Sequence, residues 1–327
     1  MIKFTYLHKL TAEGAGSLLQ RELFAYFASE IMGYEFIGIN NKFLIGHEPD
    51  HITQEKLNSD WGLLRQCIAN YIDADLILEE DVIDVKTFNS LSQAIIDYKF
   101  VDKVFFLSID FKIAHELYKK QSNYTKQKLV DDIRIKFKAK FDFGTDEVFA
   151  LHIRCASKAD EVFGFETLPW QHFNKDYGIH NNNPEFYRRL YNGILKGIVE
   201  NYPISIRPKL NIYSTCTSGD LDLFCINLKS TFDIKIILNG YSFDDFISLS
   251  RAKILISAHS SFSWLALFFN SNDTFIRSGF RHELPYNTTI FNDRIANDYC
   301  YRDLFLTWIT GISFFMRKNY LKLKGKL

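Results

Sequence analysis

Ala150-Leu-His-Ile-Arg-Cys-Ala-Ser-Lys-Ala-Asp-Glu161 follows Val148 and Phe149, so an apolar run breaks abruptly into His152, Arg154, Ser157, Lys158, Asp160 and Glu161. This is the pattern of a buried strand whose last residues spill into a polar cleft. In open α/β sheets, ligands sit at the carboxyl ends of the strands. A guanidinium with imidazole and ammonium neighbours suits a diphosphate there, because it offers a planar fork of donors. An exposed strand end with ordinary surface charges fits the same residues, and both readings stand at this point.

On either side of this strand, apolar runs of strand length alternate with segments of helical periodicity, the pattern of parallel sheets with crossover helices. Upstream, Ile2–Leu7 reads as a strand. A loop, Thr11-Ala-Glu-Gly-Ala-Gly16, leads from it to a helix over Ser17–Met32, with Ser17 as a candidate cap and Gly33 closing it. Strand, glycine loop and helix can bring backbone N–H groups to a phosphate, or can simply make a tight turn. Tyr34–Ile39 reads as a second strand, with helices near Asp60–Tyr71 and Thr87–Tyr98 and further apolar runs at Ala74–Leu78 and Lys103–Ile109. Asn123–Phe141 reads as a strongly basic helix, either a solvated face or a surface turned to anionic partners.

Downstream of the opening strand comes a long loop with Gly164, Pro169 and Pro184, then a helix over Pro184–Glu200. Leu210–Ser214, Ile234–Leu238 and Lys253–Ser257 read as strands, with a helix at Gly219–Lys229 between the first two. Ser242 is expected to cap a helix with Asp244 and Asp245 in its first turn. His259-Ser-Ser-Phe-Ser-Trp264 turns into the apolar helix Trp264–Phe269. The hydroxyls and amides of that turn form either a second phosphate cradle or a serine cap on a core helix.

A chain of 327 residues has room for two domains of roughly 100–200 residues each. The polar Phe141–Glu147 segment marks the expected boundary. It separates residues 1–145 from 146–295, with 296–327 as a C-terminal helix and basic tail. The 31 phenylalanines and 17 tyrosines predict aromatic cores. Lysine plus arginine and aspartate plus glutamate both number 39, and this balance argues against a nucleic-acid binder. Cys67, Cys155, Cys216, Cys225 and Cys300 show no zinc-type spacing and read as reduced thiols. With a strand at the N-terminus in place of a signal peptide, and no apolar run long enough to span a membrane, a cytoplasmic protein is expected. His172, His180 and His282 lack ligand spacing, and Asp73-x-Asp75 and Asp220-x-Asp222 read as surface carboxylates, so no metal is expected.

Three segments resemble the inverting fucosyltransferase superfamily, which includes bacterial α1,2-fucosyltransferases and α1,6-type enzymes of GT-B architecture. Gly14-Ala-Gly16-Ser-Leu-Leu-Gln20 through Tyr26 looks like that family's glycine-rich opening, with serine in place of asparagine. His152-Ile-Arg154 looks like the start of its H-x-R-R-x-D motif, although Cys155 and Ser157 replace the second arginine and the aspartate. Asp245 through Ser263 follows the family's order of helix, strand and serine-rich turn. The resemblance implies two Rossmann-like domains facing across a cleft and a metal-independent transferase of fucose from GDP-fucose, or of another nucleotide sugar. A catalytically degenerate glycan- or nucleotide-binding protein is the alternative.

In that reading Arg154 binds the diphosphate, helped by Lys158 as a point charge, and Asp245 bonds the guanine base. Ser260, Ser261 and Ser263 cradle the β-phosphate, His152 lines the pocket, and Gly14 and Gly16 let the first domain approach the donor. Glu161 is the favoured general base, then Asp160 or Glu166, with Glu13 a further candidate. The acceptor would be a glycan or lipid-linked glycan of a bacterial surface polysaccharide or lipopolysaccharide. The apolar Leu304–Met316 with its basic tail either lies on the inner face of the cytoplasmic membrane or packs back across both domains, as GT-B proteins commonly do.

Overall fold

The structure, a computed structural model, describes residues 1–7, 14–40, 52–141, 145–153, 184–201, 207–215, 218–226, 228–258, 260–277 and 283–291. The first half contains β1 (Ile2–Thr5), α1 (Ala15–Met32), β2 (Glu35–Asn40), α2 (Gln54–Ile68) and β3 (Asn70–Asp73). It continues with β4 (Val82–Val85), α3 (Phe88–Tyr98), β5 (Phe105–Ile109), α4 (Phe111–Lys119) and α5 (Asn123–Phe141). The second half runs β6 (Asp146–Ile153), α6 (Pro184–Asn201), β7 (Lys209–Ser214), α7 (Ser218–Cys225) and β8 (Asp233–Leu238). It ends with α8 (Ser242–Arg251), β9 (Ala252–Ser257), α9 (Ser261–Phe269), β10 (Asp273–Arg277) and β11 (Thr288–Phe291).

Two sheets result, in the orders β3-β2-β1-β5-β4 and β11-β10-β9-β6-β7-β8. Every pairing is parallel, so the two-unit α/β architecture expected from the alternation is the one observed. Counted within its own half, the second sheet has the order 3-2-1-4-5-6 of the Rossmann fold, and the strand order reverses between β6 and β9.

Local chemistry explains several helix ends. Gly33 takes the left-handed φ of 73° that ends α1, and the N–H of Tyr34 closes back on the carbonyl of Ser29 at 2.9 Å. Thr53 accepts from the N–H of Lys56 at 3.2 Å to start α2, and Thr87 and Ser90 form a reciprocal capping box on α3. Two caps differ from expectation. The cap residue of α1 is Gly14, three residues before Ser17, and Ser242 is the first helical residue of α8 after the cap residue Tyr241. The strand-like run Ala74–Leu78 is instead a 3₁₀ turn with Leu76 and Leu78 exposed. Its acidic flanks belong to the crossing from β3 at one sheet edge to β4 at the other.

The two sheets share one hydrophobic cluster. Phe24 of α1 stacks on Trp264 of α9 at 5.2 Å, and Trp61 of α2 meets Phe243 and Phe246 of α8 at 5.2 and 5.3 Å. From Ser263 to Phe269 every residue of α9 is buried, as a helix apolar all round requires. The basic helix α5 is more than a solvated face. Arg134 is buried and donates to the carbonyls of Phe268 and Leu267 at 2.7 and 3.2 Å, satisfying the open C-terminal end of α9. Lys126 pairs with Glu283 at 2.9 Å. Because the core crosses between the halves, urea unfolding followed by tryptophan fluorescence and by circular dichroism is expected to give one coincident transition. Two separated transitions would show that the halves unfold independently.

Candidate functional site

The reversal of strand order places the carboxyl ends of β6 and β9 side by side, the position where open α/β sheets hold ligands. His152, the penultimate residue of β6, shares its sheet face with Ala150 and with Tyr213, its register partner on β7, and this face packs against α8 and α9. From the end of β9 the chain enters α9 through Ser260. That residue's Oγ accepts from the N–H of Ser263 at 3.1 Å and lies 3.0 Å from Ser263 Oγ. Ser263 Oγ in turn hydrogen-bonds His152 Nδ1, and the His152 ring lies 5.4 Å from that of Phe262. Ser260 and Ser263 are buried, whereas Ser261 and Phe262 are half-exposed. The serine cap is thus what the structure shows, and it ties two of the three expected phosphate-binding hydroxyls into the cap.

The start of α1 reaches the same place. A Cβ built on Gly16 would lie 2.4 Å from Cα and 2.5 Å from N of Phe262, so backbone packs on backbone. The N-termini of α1 and α9 therefore abut, and neither has a carboxylate in its first turn. Two partial positive ends with no carboxylate in either first turn favour an anion between them. The first-turn amides of α9 at Ser261 and Phe262 have no acceptor within their own helix.

Asp245, in the first turn of α8, is half-buried. A Cβ on Gly240 would come within 2.6 Å of its Oδ1, so the glycine makes room for the carboxylate. Asn239 beside it adopts a left-handed φ of 48°, which asparagine tolerates, and its N–H closes on the carbonyl of Ser214 at 3.1 Å. Tyr241 hydrogen-bonds Asp60 of α2 at 2.8 Å, with Lys56 Nζ 4.8 Å above its ring, and so pins the base of α8 to the first half. Burial pushes the Tyr213 hydroxyl pKa above its ordinary value, so it stays protonated.

The structure thus brings together His152, Ser260, Ser261, Ser263, Gly14 and Gly16, and places Asp245 on the adjoining helix α8. Arg154, Lys158, Asp160, Glu161, Glu166 and Glu13 lie outside the described residues, as do Cys155, Ser157 and residues 296–327. Phe262 and Tyr241 were not singled out by sequence reasoning, since an aromatic in an apolar segment carries no signal of its own. Among the described residues no cluster of three histidine, cysteine or acidic side chains could hold a metal ion, and no helix is long and apolar enough to cross a membrane. Cys67 and Cys225 are buried free thiols, each pushed up to about 11 by burial, as inert core cysteines are.

No family model and no curated protein sequence matches this chain. Among solved structures, POFUT1 in complex with GDP-fucose aligns with a TM-score of 0.44 and 9% identity over 89% of this chain and 97% of that one. The E. coli heptosyltransferase WaaC with ADP aligns at 0.37 and 10% over 89% and 93%, and the E. coli ADP-heptose lps heptosyltransferase II at 0.35 and 7% over 89% of each chain. At these scores the likeness decides nothing about this chain, whose two parallel sheets stand on their own strand pairings.

Proposed function

We propose that the chain is a glycosyltransferase that moves a sugar from a nucleoside diphosphate to a glycan hydroxyl with inversion, with GDP-fucose as the expected donor. The observation that carries this reading is the meeting of two helix N-termini, those of α1 and α9, neither with a carboxylate in its first turn, at the strand-order reversal of the second sheet. An acceptor hydroxyl attacks the anomeric carbon, its proton passes to a carboxylate, and the nucleoside diphosphate leaves with charge growing on its β-phosphate. The chain's chief contribution is to position both substrates and stabilise that charge. The amides of Ser261 and Phe262, the Ser261 hydroxyl, and Arg154 supply the stabilisation. Asp245 bonds the base, and Glu161, with Asp160, Glu166 and Glu13 behind it, takes the proton. A lipid-linked glycan at the inner membrane face would bring the acceptor against the 304–327 tail.

Thermal-shift screening across nucleoside diphosphates tests the reading directly. A ligand at a hundred times its Kd stabilises the native state by about 2.7 kcal/mol. GDP is expected to give the largest shift, GDP-fucose is expected to be hydrolysed slowly, and Arg154→Ala should abolish both. Binding without release of GDP would mark a degenerate binding protein, and no shift with any nucleotide would overturn the proposal.

A further inference from the structure

We propose that Ser263 is a positioning residue that acts on the bound anion through His152, its hydroxyl holding the imidazole at Nδ1 in either charge state of the ring. The identity of the anion rests on the nucleotide-sugar reading above; the geometry does not. Ser263 is 0% exposed, and its Oγ sits between Ser260 Oγ, 3.0 Å away, and His152 Nδ1. Ser260 is 3% exposed, and its Oγ already accepts the N–H of Ser263 at 3.1 Å. Neither hydroxyl is turned outward to receive a phosphate.

A hydroxyl carries one proton and two acceptor lone pairs. With the neutral ring protonated at Nε2, Ser260 donates to Ser263 and Ser263 donates to Nδ1. With an imidazolium, Nδ1–H donates to Ser263, which turns its own proton to Ser260. Ser260 Oγ then accepts that bond beside the N–H it already holds. The two arrangements differ in the rotation of the hydroxyls and in the one proton on Nδ1, and every heavy atom stays in place. His152 can therefore take up a proton from solvent as an anion arrives without losing its orientation, and a charged donor binds phosphate more strongly than a neutral one. On this sheet face β7 contributes Tyr213, which α8 approaches with Asp245, while the exposed Asp244 acts on Lys56 of α2 and the first turns of α1 and α9 bring no carboxylate.

The test is ¹⁵N NMR of the histidine rings in the full-length chain, alone and saturated with GDP, beside GDP affinity. In the wild type His152 should show one Nδ1-bonded form when free and an imidazolium when GDP is bound. Ser263→Ala should leave a mixture of tautomers and weaken GDP binding about tenfold, the worth of one ordinary hydrogen bond. Ser260→Thr, which keeps a capping hydroxyl, should retain the wild-type spectrum. Ser260→Ala should disturb the tautomer without touching the ring, and carries the comparison if Ser263→Ala does not fold. Identical ring spectra in the wild type and Ser263→Ala would overturn the proposal, as would lost GDP affinity with an unchanged tautomer. A tautomer change in a chain that binds no nucleotide would support the positioning role and sink the donor reading instead.

Discussion

Glu22→Ala is expected to destabilise the chain by about 3–5 kcal/mol, the cost of leaving one partner of a buried ion pair alone. Arg65 donates to Glu22 through Nε at 3.0 Å and through a terminal nitrogen at 2.6 Å, and that nitrogen also reaches the carbonyl of Ile39 at 2.9 Å. Tyr71 adds a third donor to the carboxylate at 3.1 Å, and its ring lies 4.3 Å from the guanidinium. Glu22 and Arg65 are only 1% and 4% exposed. Burial alone would lower the Arg65 pKa, but Glu22 and its hydrogen bonds hold it above the ordinary value. The network joins α1, α2, β2 and β3, so its loss unsettles the helix that carries Gly14 and Gly16. Urea midpoints measure the effect. Glu22→Leu with Arg65→Leu should cost less than the two single changes summed, because no lone charge remains. A loss below about 1 kcal/mol in Glu22→Ala would place the pair among weak surface bridges.

Gly16→Val is expected to cost about 3 kcal/mol, the upper end for overpacking, since the obstacles are backbone atoms that no rotamer change can move aside. Its Cβ would meet Cα and N of Phe262 at 2.4 and 2.5 Å and the carbonyl carbon of Ser261 at 2.8 Å. Parting α1 from α9 also separates the two helix starts, so under the proposed function the nucleotide-induced thermal shift should vanish. Gly62→Ala is the control. It lies inside α2 with nothing within 4 Å of a built Cβ, and should gain about 0.5–1 kcal/mol from helix propensity. A stable Gly16→Val chain with an undiminished nucleotide shift would show that this contact neither holds the halves nor shapes the site.

Much of the architecture was legible because it is periodic. α5 spans the segment read as a basic helix, and β6, β7, β8 and β9 fall within one or two residues of the apolar runs that suggested them. The misses have local causes. Asp110 caps a nine-residue α4, accepting from the N–H of Lys112 at 2.8 Å, but Phe111–Lys119 is shorter than the roughly 10–12 residues over which a helical period separates from a strand. Ser17 and Ser242 are sound cap residues by type, yet Gly14 and Tyr241 start the helices, because packing against α9 and α2 fixes where each chain turn begins. At the candidate site, the serine-rich turn before Trp264 fits a phosphate cradle and a serine cap equally well by residue type, and only the bond from the N–H of Ser263 to Ser260 Oγ shows the cap.

The amino-acid sequence by itself determined two parallel α/β units and the glycine-ended α1, since strand and helix periods and a terminal glycine are short-range properties. Only the tertiary structure decided that His152 and Ser263, 111 positions apart, share a hydrogen bond. It also set Gly16 against Phe262 and buried Glu22 with Arg65. Partners so distant in the chain are chosen by which helix faces fill one another's grooves, and that complementarity leaves no repeat or spacing along the chain.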